Sequence, residues 1–243
     1  MRLTRCFVDM ALAPGARIAL PESAATHLVR VLRLREGDAC VLFNGDGHDY
    51  AATLAVAGKR EVVAEVSAAT LLANESPLRI TLLQGVARGE KMDLILQKAT
   101  ELGVAAIVPV NSERSEVKLD AERAVKRVAH WRSVVVSACE QSGRATIPDV
   151  AAPVGLAEAA RAIDAAMKLT LDPEGEHALA SLAAPSPLSA CIAIGPEGGW
   201  SSRDRELLRA AGFSGLRLGP RVLRTETAGL AAIAALQARF GDL

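Results

Sequence analysis

Ile192-Ala193-Ile194-Gly195-Pro196-Glu197-Gly198-Gly199 is an apolar run stopped by a Gly-Pro turn, and Leu218-Gly219-Pro220-Arg221-Val222-Leu223-Arg224-Thr225-Glu226-Thr227 repeats the device one short βα unit later. An apolar run bounded by glycine and proline reads as an interior strand. Between the two, residues 203–211 read as a helix capped by Ser201 or Ser202 and ended by Gly212. Loops at the carboxyl ends of neighbouring parallel strands are where open α/β sheets bind ligands, so the pair predicts a cofactor site. Gly198 and Gly199 leave backbone N–H and C=O groups uncovered, which lets a flat group such as adenine approach the main chain.

Outward from these loops the pattern stays α/β. Residues 78–84 read as a strand, 90–102 as an amphipathic helix ending at Gly103, and 104–110 as another buried strand, which together make a βαβ unit and hence a parallel sheet. A long helix is expected over 120–142, with Val125, Val128, Trp131, Val135 and Cys139 on one face. Residues 156–166 follow as a helix, then 167–171 and 188–194 as strands. Trp131 reads as core, while Trp200, beside the glycine loop, fits either core or a stacking surface.

The first 73 residues have a different rhythm. Short strand-like runs at 40–43 and 49–54 flank Asn44-Gly45-Asp46-Gly47, where glycine supplies the positive φ of a tight turn. One helix is expected at 21–33, with Ala24, Leu28, Val31 and Leu32 on its apolar side, so this part reads as a small barrel with one helix. Rising polarity at 72–77, closed by Pro77, marks a linker. The expected domains are therefore 1–73 and 74–243.

Composition bounds the partners. At 243 residues and 50% hydrophobic the chain can bury a large core, and 28 basic against 28 acidic residues give no general attraction to nucleic acid, so any RNA contact must be local. Every apolar run is interrupted before the roughly 18 residues of a membrane span, and a soluble cytoplasmic protein is expected. Cys6, Cys40, Cys139 and Cys191 form no C-x-x-C pair and read as small core residues, so no metal is expected. No G-x-G-x-x-G is present, and Gly85-Val86-Ala87-Arg88-Gly89-Glu90-Lys91 has the wrong spacing for a phosphate loop, which disfavours the usual dinucleotide or ATP sites.

Five strings carry a resemblance that spans nearly the whole chain: Ile194-Gly195-Pro196-Glu197-Gly198-Gly199-Trp200-Ser201, Leu223-Arg224-Thr225-Glu226-Thr227-Ala228, Gln97-Lys98-Ala99-Thr100-Glu101-Leu102-Gly103, Glu140-Gln141-Ser142-Gly143-Arg144 and His27-Leu28-Val29-Arg30-Val31-Leu32-Arg33. In that order and spacing the chain resembles the bacterial 16S rRNA N3-uridine methyltransferases. The resemblance implies a SPOUT-type parallel sheet with a trefoil knot, preceded by a small PUA-like β-barrel that binds RNA. It implies S-adenosylmethionine as cofactor, 16S rRNA or the small ribosomal subunit as partner, and a homodimer. It assigns Leu171, Gly195, Glu197, Gly198, Leu218, Gly219 and Leu223 to the cofactor, with Ile194, Pro196, Gly199, Arg224 and Thr225 completing the set.

Uracil N3 carries a proton that must leave during methylation, which calls for a base or for groups that stabilise the uracil anion. Glu140 and Glu226 are the candidate carboxylates, and Arg144 and Arg224, which stay protonated, are candidates for holding phosphate or developing negative charge. Bland alternatives stand beside each: an ion pair of Glu140 with Arg144, and a helix-dipole role for Glu226. His27, Arg30 and Arg33 recur every third residue and are candidates for RNA phosphate, with Arg2, Arg5 and Arg35 extending the set. Two rival readings are a knotted methyltransferase acting on another position, such as a tRNA ribose 2′-hydroxyl, and a noncatalytic RNA-binding or ribosome-assembly factor.

Overall fold

The computed structural model describes residues 3–117 and 121–243, so Arg2 and the expected helix start at Asp120 lie outside the described residues. The chain forms two compact units, one of Met1–Glu75 with Val136–Ile147 and the other of Ser76–Val135 with Pro148–Leu243.

The first unit is built on a five-stranded sheet. Its strands are β1 (Arg5–Phe7), β2 (Arg17–Ala19), β3 (Ala39–Phe43), β4 (His48–Ala57) and β5 (Val62–Leu71), in the order β1-β3-β4-β5-β2. β1 runs parallel to β3 and the other pairs are antiparallel. The β3–β4 connection uses Gly45 and Gly47 at φ +94° and +92°, the conformation the sequence required of them. Leu28, Cys40, Leu42, Leu54 and Ala64 are fully buried in its core.

The expected helix over 21–33 is shorter and differently wound. α1 (Glu22–Ala25) passes directly into a π-helical turn (Thr26–Val31), in which the Leu32 N–H donates to His27 O at 3.0 Å. The wider turn breaks the 3.6-residue register, so Ala24 and Leu28 are buried as expected but Val31 and Leu32 are 63% and 39% exposed. Arg33 lies past the helix at φ 60°. His27, Arg30 and Arg33 therefore do not share a single helical face, although Arg30 and Arg33 are exposed and His27 is half-buried.

The second unit is an α/β domain. Its strands are β6 (Arg79–Gly85), β7 (Val104–Asn111), β8 (Asp149–Val150), β9 (Val154–Gly155), β10 (Met167–Leu171), β11 (His177–Ala178), β12 (Ser189–Ile194) and β13 (Ser214–Arg217). Its helices are α2 (Glu90–Glu101), the first part of α3 (Ala121–Ser142), α4 (Leu156–Ala162), α5 (Ser202–Ala210) and α6 (Thr225–Phe240). All strand pairs are parallel, in the order β11-β13-β10-β12-β6-β7-β8, with β9 also on β7. Ala190 to Ile194 of β12 are all buried, the signature of a strand covered on both faces. On α2 Met92, Ile95, Leu96 and Ala99 form the buried stripe. On α3 Val128, Trp131, Val135 and Cys139 are buried, but Val125 is 71% exposed and does not belong to the expected face.

The strand order contains a threading. β13 pairs with β10 on one side and with β11 on the other, although β10 and β11 are joined by only five residues, 172–176. That bridge crosses the sheet at Gly215, where a Cβ on Gly175 would sit 2.6 Å from the Gly215 carbonyl carbon. The chain then returns to lay down β12 on the far side of β10, so the later β13 is inserted between two strands already joined by a short link. This is the knotted topology of the SPOUT-type sheet.

No helix among the described residues is long and apolar enough to cross a membrane. The four cysteines are free and buried, and burial pushes their thiols up to about 11 for Cys40 and about 12 for Cys6, Cys139 and Cys191. They are inert core residues.

Candidate active site

Within the second unit, the carboxyl ends of β10, β12 and β13 open onto a cavity of about 380 Å³. β10 contributes Leu171, followed by Asp172 and Pro173; β12 contributes Ile194 and the run Gly195 to Trp200; β13 contributes Leu216 and then Leu218, Gly219, Arg221, Val222 and Leu223. The start of α6 adds Arg224, Thr225 and Ala228. All twelve residues expected at a cofactor thus line one cavity.

The first loop is built closely and braced from several sides. Gly195 packs tightly against its own loop: a Cβ there would lie 3.0 Å from Gly199 C and 3.1 Å from Trp200 N, so the loop backbone would have to give way. The Gly199 N–H closes a turn on Pro196 O at 2.8 Å with Gly199 at φ +65°. Thr225 Oγ1 donates to Gly195 O at 2.5 Å, and Arg114 Nη1 donates to Gly198 O at 3.0 Å. Glu197 accepts from the Arg88 N–H at 3.1 Å and from Lys91 Nζ at 3.3 Å. Partial burial would raise the Glu197 carboxyl, but these donors outweigh it and hold it below the usual carboxylate range. Ser201 then caps α5 in a reciprocal capping box with Asp204.

The second loop has few such restraints. Among the described residues, none from Gly219 to Leu223 hydrogen-bonds or ion-pairs with another segment, and Val222 is 82% exposed. Arg224 is the exposed N-cap of α6, without a side-chain cap bond. Glu226, in the first turn, keeps Oε2 buried with no hydrogen-bond partner.

The other candidates lie in the first unit, and there they make internal bonds. Glu140 Oε1 accepts from the Phe7 N–H at 3.0 Å. Arg144 is buried and pairs with Glu75 at 2.5 Å. Arg5 is also buried: it clasps Asp49, donates to Cys139 O at 2.8 Å and to Arg144 O at 3.2 Å, and lies 4.5 Å over the Phe43 ring.

Nine cavity residues lay outside the expected set: Arg114, Asp172, Pro173, Trp200, Arg205, Leu216, Arg221, Val222 and Ala228. Arg114 and Asp172 each follow the end of a parallel strand, so the rule that singled out Gly195 and Gly219 applies to them as well. Arg205 enters from α5 through its ion pair with Asp172 at 2.9 Å, and no local pattern announces that contact. Trp200 touches the cavity but is 5% exposed, with its indole N–H on Thr170 Oγ1 at 2.9 Å, so it is a core residue and not a stacking platform.

The fold and site have clear relatives. The RNA methyltransferase domain family matches residues 74–237, and the RNA methyltransferase PUA domain family matches residues 20–67. The ribosomal RNA small subunit methyltransferase E of Buchnera aphidicola subsp. Schizaphis graminum is 32% identical over 244 residues, covering 100% of this chain and 98% of its own length. That of Bacillus subtilis is 33% identical, covering 86% and 85% respectively. A ribosomal RNA small subunit methyltransferase E from Neisseria gonorrhoeae, solved bound to S-adenosyl methionine, superposes with a TM-score of 0.93 at 41% identity over 100% of both chains. A Legionella pneumophila methyltransferase, solved with the cofactor SAM, superposes with a TM-score of 0.96 at 38% identity, again over 100% of both. Full-length coverage at this identity, together with both domain matches, places the chain in the ribosomal RNA small subunit methyltransferase E family.

Proposed function

We propose that this protein transfers a methyl group from S-adenosylmethionine to N3 of a specific uridine in 16S rRNA of the small ribosomal subunit. The observation that carries the reading is one cavity walled by two glycine loops, with an exposed Arg224 at the foot of α6.

The residues present fit this cofactor. A cavity of about 380 Å³ is of small-molecule size. Gly199 and Gly219 both have positive φ and nothing within 4 Å of where a Cβ would stand, so each leaves open space beside its backbone. Leu171, Ile194, Leu218 and Leu223 supply an apolar lining for a purine, and Gly195 to Gly199 supply backbone donors and acceptors for its edge. When bound, S-adenosylmethionine supplies an electrophilic methyl group on sulfur.

The chain's own part is to position the uracil and to manage its proton. Alignment of acceptor and methyl carries much of the rate, and the braced first loop provides a fixed reference for it. In this proposal Glu226, which lies next to the cavity-lining Thr225 but does not itself line the cavity, accepts the N3 proton once nucleotide binding uncovers its buried Oε2, an oxygen with no competing donor. Arg224 stays protonated and stabilises the negative charge that develops on a uracil oxygen. Glu140 and Arg144 act by bracing the first unit, where their hydrogen bonds lie. His27, Arg30 and Arg33 hold RNA phosphate, and Arg5 supports that unit from inside. A homodimer acting in the cytoplasm completes the proposal.

The test is incubation with labelled S-adenosylmethionine and assembled small subunits, naked ribosomal RNA or tRNA, followed by mass spectrometry of the labelled nucleoside. N3-methyluridine from ribosomal RNA or the subunit is the expected product. Label on ribose, or on tRNA alone, would move the activity to another position, and no transfer at all would leave only RNA binding. Sedimentation velocity checks the dimer.

A further inference from the structure

Gln84 is the penultimate residue of β6, directly beside Ile194 in the sheet register, and is fully buried yet outside the cavity lining. Its amide nitrogen donates to Gly85 O at 2.9 Å and to Thr225 Oγ1 at 3.3 Å, while its Oε1 has no hydrogen-bond partner. That oxygen faces the Cα of Gly229, where an added Cβ would lie 3.8 Å away. A buried carbonyl without a donor is a folding cost that an apolar side chain of the same size would avoid, so a folding role alone does not account for an amide here.

The amide makes sense as the start of a directed hydrogen-bond relay. Gly85 O is only an acceptor, so it forces the NH2 end of Gln84 toward itself and Thr225; the flipped amide would set two acceptors face to face. An NH2 group can only donate, so Thr225 Oγ1 must accept from it and send its single proton elsewhere. It sends that proton to Gly195 O, at 2.5 Å. Each bond in the series polarises the next.

Resting on the S-adenosylmethionine reading above, we infer that Gln84 is a positioning residue for the cofactor, fixing through Thr225 the distance between the Gly195 loop and the first turn of α6. These are the two walls between which the cavity opens, and Thr225 with Gly195 belongs to both. Gln84 touches neither cofactor nor substrate; its effect passes entirely through the orientation of the Thr225 hydroxyl.

The experiment is calorimetric titration of S-adenosylmethionine into the full-length wild-type protein, Gln84→Met, Thr225→Val, Thr225→Ser and the Gln84→Met/Thr225→Val double variant, with the melting temperature of each in the absence of cofactor. Gln84→Met is expected to weaken binding about tenfold while melting at or above the wild-type temperature, since it removes the orphan carbonyl. Thr225→Val is expected to weaken binding similarly, Thr225→Ser to restore it, and the double variant to lose no more than either single one. Should Gln84→Met fail to fold, Gln84→Leu takes its place. Wild-type Kd in the Gln84 variant, or additive losses in the double, would overturn the relay. No uptake by the wild-type protein would instead overturn the cofactor reading on which it rests.

Discussion

Residues 195–200 and residues 219–224 begin with the same Gly-Pro pair and border the same cavity, but only the first run is held by other parts of the second unit. Thr225, Arg114, Arg88 and Lys91 all bond to the first. From Gly219 to Leu223 the described residues form no such tie, and the loop regains one only where Arg224 O accepts the Ala228 N–H to start α6. Segments with few buried contacts and bonds rearrange at low cost. The first loop is therefore suited to be a fixed wall, and the second, which ends in the exposed Arg224, to adjust to an arriving nucleotide.

The largest expected effect falls on the second loop. Arg224→Ala should lower single-turnover methyl transfer about 10²–10³-fold, the scale for removing one donor to a developing charge, while leaving the S-adenosylmethionine Kd unchanged in calorimetry. A matching loss of cofactor affinity would make Arg224 part of a binding wall and erase the contrast. Next comes Gly85→Ala, which attacks the first loop from behind. Its Cβ would lie 2.6 Å from Pro196 N and 2.7 Å from Pro196 Cδ, and backbone cannot swing aside as a flexible side chain does. A loss of about 3 kcal/mol in unfolding free energy, read from denaturant midpoints, is expected from such overpacking.

Gly219→Ala is a gentler probe. Nothing lies within 4 Å of the added Cβ, so its cost comes only from holding alanine at φ +74°. That amounts to roughly 1–2 kcal/mol, and a loop without ties can relax part of it away. A destabilisation equal to that of Gly85→Ala would mean that the second loop is as rigid as the first.

Much of this arrangement was legible in the sequence because it is local. Met167–Leu171 forms the strand expected there, and α2 buries the stripe its spacing implied. The Gly-Pro pairs marked two strand ends that do border one cavity. What was not legible depends on contacts far apart in the chain. Nothing near Arg5 announces that its partners are carbonyls at residues 139 and 144, and nothing near residues 172–176 shows that β13 will be threaded beneath them. Val31 and Leu32 misled for another reason: the periodicity assumed an α-helical turn, and the π-helical turn at Thr26–Val31 moved them into solvent. Gln84 carried no signal at all, since one amide at the end of an apolar strand reads simply as its end.

The smallest expected effect concerns acid. Burial pulls the Glu197 carboxyl upward, while the Arg88 N–H and the Lys91 ammonium pull it down more strongly, so its pKa in the folded protein lies below that in the unfolded chain. A depressed carboxyl contributes in full above the usual carboxylate range, and its contribution disappears as pH falls through the folded-state value. S-adenosylmethionine affinity should therefore hold steady from neutral pH down to the usual carboxylate range and decline only below it. Glu197→Gln keeps an oxygen for the Arg88 N–H but loses the charge facing Lys91. Because that pair is partly solvated, the variant should bind less than about fivefold more weakly at neutral pH. Its affinity, plotted as a ratio to wild type, should rise toward unity as acid removes the same charge from the wild-type loop. A ratio independent of pH would show that the carboxylate braces nothing, leaving Thr225 and Arg114 as the bonds that distinguish the first loop from the second.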